Sequence, residues 1–247
     1  MKRDGFTLME MVVTLVIGSF IMLGIAAYVK LGLVGYRSTT DAERLQSQSQ
    51  FVIEKMSREI RHAVPNSFDT RVTASQSCLS FFPIQNSGIY TTISNDIAFT
   101  GENLATNLIG LQMIVNPTNR QDFNSPPSAL TISTTNMDVL SGYNLLKGAA
   151  SSLSSNSISE RFYLYNPNRL IEYCVGNGTM NQQITRTVGT GASVQVAEDV
   201  ASLNGDVFNY TASALQTGGV IHINLAFENE GSVSSHYQQD VQVLNVP

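Results

Sequence analysis

The sequence predicts an α+β protein in which one long N-terminal α-helix leads into a β-rich C-terminal domain. Three observations carry this. An apolar run from Phe6 to Val29 is broken by a single carboxylate, Glu10; apolar residues keep helical spacing as far as Pro65; and short β-like runs between turn residues fill the rest. With 247 residues there is room for one globular domain plus an extra element, or at most two small domains.

The first five residues, Met1-Lys2-Arg3-Asp4-Gly5, form a short polar segment with two basic side chains. The apolar run that follows ends at Lys30 and is long enough for one transmembrane helix, which needs about 20 such residues. A secretory signal has a shorter apolar region with its small-residue cleavage site after it. Here Gly5 stands before the run, so a cut at that point retains the helix. Glu10 is costly inside a bilayer, about 2.5–3.5 kcal/mol at mid-depth and less near an end. On physics alone it either has a partner or lies near the interface and reaches water.

Between Asp41 and Val64, the apolar residues Leu45, Val52, Ile53, Met56, Ile60 and Val64 recur at helical spacing, and Glu54 and Arg58 form a favourable i, i+4 pair. Pro65-Asn66 stops the pattern. One helix is therefore expected from Phe6 to about Ala63, roughly 85 Å long. Gly18, Gly24, Gly32 and Gly35 fit either close helix approach or the ordinary tolerance of membrane helices for glycine.

Beyond Pro65, strands are expected at 78–84, 89–93, 108–115, 130–134, 161–165, 170–175, 183–188, 194–196, 206–210, 220–228 and 232–246. Gly176-Asn177-Gly178, Asn204-Gly205 and Glu228-Asn229-Glu230-Gly231 read as turns. The Pro-containing stretch 116–128 and the Ser-rich stretch 148–159 read as surface loops.

The net charge of −5, with only 13% charged residues and no basic stripe, gives no nucleic-acid footprint. The two cysteines, Cys78 and Cys174, form no CxxC motif. They would make one disulfide in an oxidising compartment and remain buried thiols in a reducing one.

The words Gly5-Phe6-Thr7-Leu8-Met9-Glu10 resemble the type IV prepilin signature, with Met9 in place of the more usual Val or Ile. The resemblance implies cleavage by a prepilin peptidase between Gly5 and Phe6 and N-methylation of the new N-terminal Phe6. It implies that Glu10 neutralises the charged N-terminus of a neighbouring subunit during assembly. Residues 1–5 would then be a leader, 6–29 the transmembrane and assembly helix, 30–64 its amphipathic continuation, and 65–247 a pilin-type globular head. Lys2, Arg3 and Asp4 sum to +1, so loss of the leader takes the side-chain charge from −5 to −6. The resemblance further places the chain in the inner membrane as a single pass, with its head in the periplasm, and later in a filament with other pilins and minor pilins. In that compartment a Cys78–Cys174 bridge is the expected state.

Phe51–Ser67 is similar to the helix end of the large minor pilins, the PilW/GspJ-like group. Arg161-Phe162-Tyr163-Leu164, Ile171-Glu172-Tyr173-Cys174 and the closing Tyr237–Pro247 are most similar to the MshO-type proteins of MSHA pilus biogenesis. Residues 67–159 carry no such likeness. The resemblance implies a minor pilin that primes assembly or caps the tip. A type II secretion pseudopilin is the alternative within that class, and a tip adhesin or binding module the alternative outside it.

An enzymatic reading finds little in the sequence. His62, His222 and His236 have no spaced partners, and HExxH, GxSxG, GxxxxGK[ST] and GxGxxG are all missing. Asp199, Asp206, Glu228, Glu230 and Asp240 lack EF-hand spacing and read as solvated turn positions rather than a calcium site. No catalytic residue, cofactor or metal is expected.

Overall fold

The computed structural model describes residues 5–73, 75–101, 107–124, 129–140, 142–153, 155–176, 182–201, 207–213, 218–228 and 234–243. Helix α1 (Leu8–Arg61) runs unbroken for 54 residues, about 80 Å, within two residues of the expected limits at either end. Its stop follows from the sequence. His62 caps the C-terminus, Pro65 cannot continue the ladder, and Asn66 turns the chain with a left-handed φ of 57°.

After the helix come β1 (Asp69–Val72) and β2 (Gln76–Phe81), then β3 (Asn86–Ile93), β4 (Asp96–Thr100), β5 (Gln112–Ile114), β6 (Ala129–Thr131), β7 (Met137–Leu140), β8 (Tyr143–Leu146) and β9 (Arg161–Tyr165). The chain ends with β10 (Ile171–Gly176), β11 (Gln182–Val188), β12 (Val194–Val200), β13 (Phe208–Thr211), β14 (Val220–Glu228) and β15 (Ser234–Gln242). These strands form two antiparallel sheets. The first has eight strands in the order β1-β2-β10-β11-β12-β14-β13, with β15 on the other edge of β14. The second runs β6-β5-β9-β3-β4-β8-β7.

The sheets are related by insertion. β2 and β10 are direct neighbours, with Cys78 opposite Cys174 and Phe81 opposite Ile171, so everything between them in sequence loops out and folds as the second sheet. Each sheet has its own core. Leu45, Val52, Met56 and Ile60 form one stripe of α1 that packs on Leu79, Tyr173, Leu225 and Phe227 of the first sheet. Phe99, Met113, Phe162 and Leu164 anchor the second. At the junction, Phe82, Phe123 and Tyr165 cluster, and the Arg120 guanidinium lies 4.7 Å over the Phe82 ring. Asn66 ties the same corner together. Its amide donates to the Pro117 carbonyl at 2.7 Å and its oxygen accepts from the Tyr210 and Ser213 hydroxyls.

Eleven of the strands overlap the expected runs, and β1, β4, β7 and β8 were not foreseen. β4 follows β3 through a two-residue turn in which Ser94 takes a φ of 56°. That tight turn lets five residues form a strand in a stretch without strong alternation. The expected strand at 108–115 contracts to Gln112–Ile114, since Ile109-Gly110 turns with Gly110 at φ 85°. The two expected loops carry more order than their composition suggests. Asn119 and Asp122 cap a 3-10 turn at Arg120–Phe123 that buries Phe123, and a second 3-10 turn spans Ala150–Ser152. The turns expected at Asn204-Gly205 and 229–231, and most of that at 176–178, lie outside the described residues.

Candidate functional site

The N-terminal end of α1 is built by Thr7. Its backbone is extended, and its hydroxyl accepts a hydrogen bond from the Glu10 amide at 3.3 Å, which satisfies one of the free donors of the first turn. Thr7-x-x-Glu10 is a capping-box spacing, a signal for the helix start that was present in the sequence and not used. Glu10 sits in that first turn, exposed, where the helix dipole favours negative charge. Cleavage at Phe6 would place an ammonium group at the same positive helix end. A carboxylate one turn away carries the sign of charge that would offset such a group.

Gly5 and Phe6 are both exposed, and a Cβ built on Gly5 meets nothing within 4 Å. The chain itself therefore gives no steric reason for glycine there. A requirement for glycine would have to come from whatever binds the junction. Gly18, Gly24, Gly32 and Gly35 are likewise open, so no contact within the subunit explains them.

From Leu8 to Thr40, about 50 Å of helix, no residue is buried. Phe20, Met22, Leu23, Tyr28, Leu31 and Tyr36 are each more than two-thirds exposed. The stretch passes the length and hydropathy test for a membrane span, with none of its most apolar window covered. Its few hydroxyls are satisfied locally. Thr14 donates to the Met11 carbonyl, Ser19 to Val16, Thr39 to Gly35 and Thr40 to Tyr36. A polar group bonded to its own helix is one that a hydrocarbon environment tolerates.

Polar clamps hold the second half of α1 to the first sheet. Arg44 pairs with Glu198 at 3.1 Å and Asp199 at 2.7 Å, and Gln48 donates to the Glu198 carbonyl. These partners exist because of a β-bulge. Gln182 faces Val200 and Ile184 faces Ala197, so Glu198 and Asp199 share one opposing residue, and Asp199 takes a left-handed φ of 56°. Farther along, Glu59 accepts from the Tyr173 hydroxyl at 2.9 Å and from Arg186 at 3.0 Å. Burial pushes the Tyr173 phenol above the usual tyrosine range, and the Glu59 carboxylate pushes it further. Sequence reasoning missed Arg44, Glu59, Arg186 and the bulge carboxylates as a set, because each partner lies more than 100 residues away.

Cys78 and Cys174 are bonded across β2 and β10, so the link sits where the inserted sheet leaves and rejoins the first. Among the described residues, Cys78, Glu172 and Cys174 are the three potential metal ligands that approach one another, but two of their donor atoms are the joined sulfurs. The other residues weighed in the sequence are dispersed. Asp199 pairs with Arg44 and Asp240 with His222, while Asp206 and Glu230 lie outside the described residues. His222 Nδ1 is 2.7 Å from Asp240, and its Nε2 lies 3.3 Å from the Thr211 hydroxyl, a contact that sequence spacing did not reveal. These three side chains stand exposed on the outer sheet face, where water screens them.

Residues 1–26 match the model of the prokaryotic N-terminal methylation motif. No curated protein and no solved structure matches the chain. The motif, the uncovered apolar helix and the β-rich domain together support a type IV pilin-like or pseudopilin-like protein, structural rather than enzymatic. Such a motif implies processing by a prepilin peptidase, anchorage in the inner membrane and assembly with other pilins.

Proposed function

We propose that this chain is a minor pilin of a type IV pilus of the MSHA type, MshO-like, that primes assembly or caps the filament tip. It is cut after Gly5, N-methylated at Phe6, held in the inner membrane by residues 6–29 and carried into the filament by the same helix. Residues 30–64 continue that helix onto a periplasmic head made of residues 65–247, in which the Cys78–Cys174 disulfide forms. The single observation that carries this reading is an apolar helix, uncovered for about 50 Å, that begins on a methylation motif. That much apolar surface needs a hydrocarbon environment: lipid before assembly, and the helices of neighbours afterwards. Glu10 serves the second state, because its charge then meets the N-terminal ammonium of an adjacent subunit in a place that water has left. A priming or tip position is supported by the two-sheet head, which is large for a subunit that must pack on all sides.

The test uses filaments purified from the native host. The mature chain should begin at methylated Phe6 by mass analysis, and the protein should co-purify with other minor pilins at low stoichiometry. Glu10→Ala should leave the head folded and reduce incorporation. An intact Met1, a cut beyond Val29, or wild-type incorporation of the variant would contradict the reading. Recovery with secretion pseudopilins instead would reassign the filament.

A further inference from the structure

A groove of about 710 Å³ runs between the last turns of α1 and strand β15. One side is a stripe of the helix that includes Gln50, Ile53, Ser57 and Arg61, spaced three or four residues apart. The other side is Tyr237–Gln239 of β15. β15 pairs with β14 along all nine of its residues, and its second edge pairs with no described strand. An unpaired edge of that length offers a row of backbone donors and acceptors.

Two further features favour a polar polypeptide as the occupant. Ser57 is nine-tenths buried and lines the groove, yet its hydroxyl has no partner among the described residues. Five other hydroxyls of α1, from Thr14 to Ser49, bond back to their own helix, and Ser38 and Ser47 are exposed to water, so Ser57 Oγ stands out as a buried hydroxyl of α1 without an acceptor. A buried hydroxyl without an acceptor is destabilising and calls for one. The charge is also uneven. Glu54 is taken up by Arg58 at 2.6 Å, while Arg61 has no ion partner among the described residues. The groove thus presents a net cation at one end in a chain whose overall charge is −5.

We infer that this groove receives an extended, acidic segment of a neighbouring subunit, which adds to the sheet as a strand beside β15. The helix stripe from Gln50 to His62 spans about 18 Å, which accommodates five or so residues of extended chain at ~3.3 Å each. Backbone hydrogen bonds to β15 supply most of the affinity, as in other strand-addition complexes. Arg61 selects a carboxylate, and Ser57, whose Oγ is closed off from solvent in the isolated subunit, donates to the inserted chain after a χ1 rotation. The inference rests on the filament reading for the source of the segment.

The experiment places a photo-crosslinking amino acid at Gln238 in the full-length protein within native filaments, and in a parallel sample at Leu31 on the uncovered helix. The expected result is a Gln238 crosslink to an acidic, non-helical segment of another subunit. Arg61→Glu should lower its yield about fivefold, the scale of turning a partly exposed attractive pair into a repulsive one. Ser57→Ala should lower it as well. A silent Gln238 with a productive Leu31 overturns the groove inference and leaves the filament reading standing. A silent Leu31 overturns the filament reading, and the groove inference with it. A crosslink to a helix, or a yield indifferent to Arg61→Glu, refutes strand addition or its acidic selectivity respectively.

Discussion

Removing Glu59 should destabilise the protein by about 3 kcal/mol. The magnitude follows from what the carboxylate satisfies. Tyr173 is fully buried, and its hydroxyl donates to Glu59 at 2.9 Å. Without that acceptor, a buried phenol is stranded at a cost of about 1–3 kcal/mol. Arg186 donates to the same oxygen at 3.0 Å, and the two side chains are 24% and 21% exposed. That places the pair between an exposed ion pair, worth at most about 1 kcal/mol, and a buried one, whose disruption costs about 3–5 kcal/mol. Lys55, at 3.5 Å, adds little. Tyr173→Phe alone should cost about 1 kcal/mol, because it removes the donor and strands nothing. The double variant Glu59→Ala/Tyr173→Phe should then cost about 1 kcal/mol less than the sum of the two. Urea unfolding of detergent-solubilised, disulfide-intact protein, with the slope of the transition compared across variants, measures these differences. A loss below about 0.5 kcal/mol for Glu59→Ala, or strict additivity in the cycle, would refute the role assigned to the carboxylate.

Two further expectations follow from the same domain. Cys78 and Cys174 are 96 residues apart in sequence, for which loop entropy sets a ceiling of about 4–5 kcal/mol; reduction should therefore lower the urea midpoint clearly, and an unchanged midpoint would contradict it. Alkylation under denaturing conditions that finds free thiols in protein taken from the native host would refute the bridge itself. Stability should also fall at high pH. Burial raises the phenols of Tyr165 and Tyr173 above the usual value near 10, so the folded chain keeps these protons after the unfolded chain has released its own. Their stabilisation is complete below pH ~10 and declines above it by about 1.4 kcal/mol per pH unit for each tyrosine. A flat urea midpoint from neutral to strongly alkaline pH would exclude this.

What was legible in the sequence was local. The apolar run, the Pro65 stop and the helical spacing of Leu45, Val52, Met56 and Ile60 act over a few turns, and the helix they predict is the helix observed. β14 was legible for the same reason, since Val220, Ile221, Ile223, Leu225 and Phe227 declare a half-buried strand without reference to anything distant. β7 and β8 were missed although Gly142, with a left-handed φ of 97°, marks a turn just before β8. Each strand has only four residues, too few to establish a period.

The sequence by itself determined that the N-terminal helix would be apolar, long and provided with a methylation motif, because each of these is written in consecutive residues. The tertiary structure alone decided that strands adjacent in space, β2 and β10, would enclose a second sheet. It alone set Asp199 on a bulge facing Arg44, brought Glu59 to Tyr173, and left a groove open beside β15. Those features depend on contacts between elements that lie 90 residues or more apart in sequence. Pairing at that range is chosen by the summed burial of both cores, and no short stretch of residues records it.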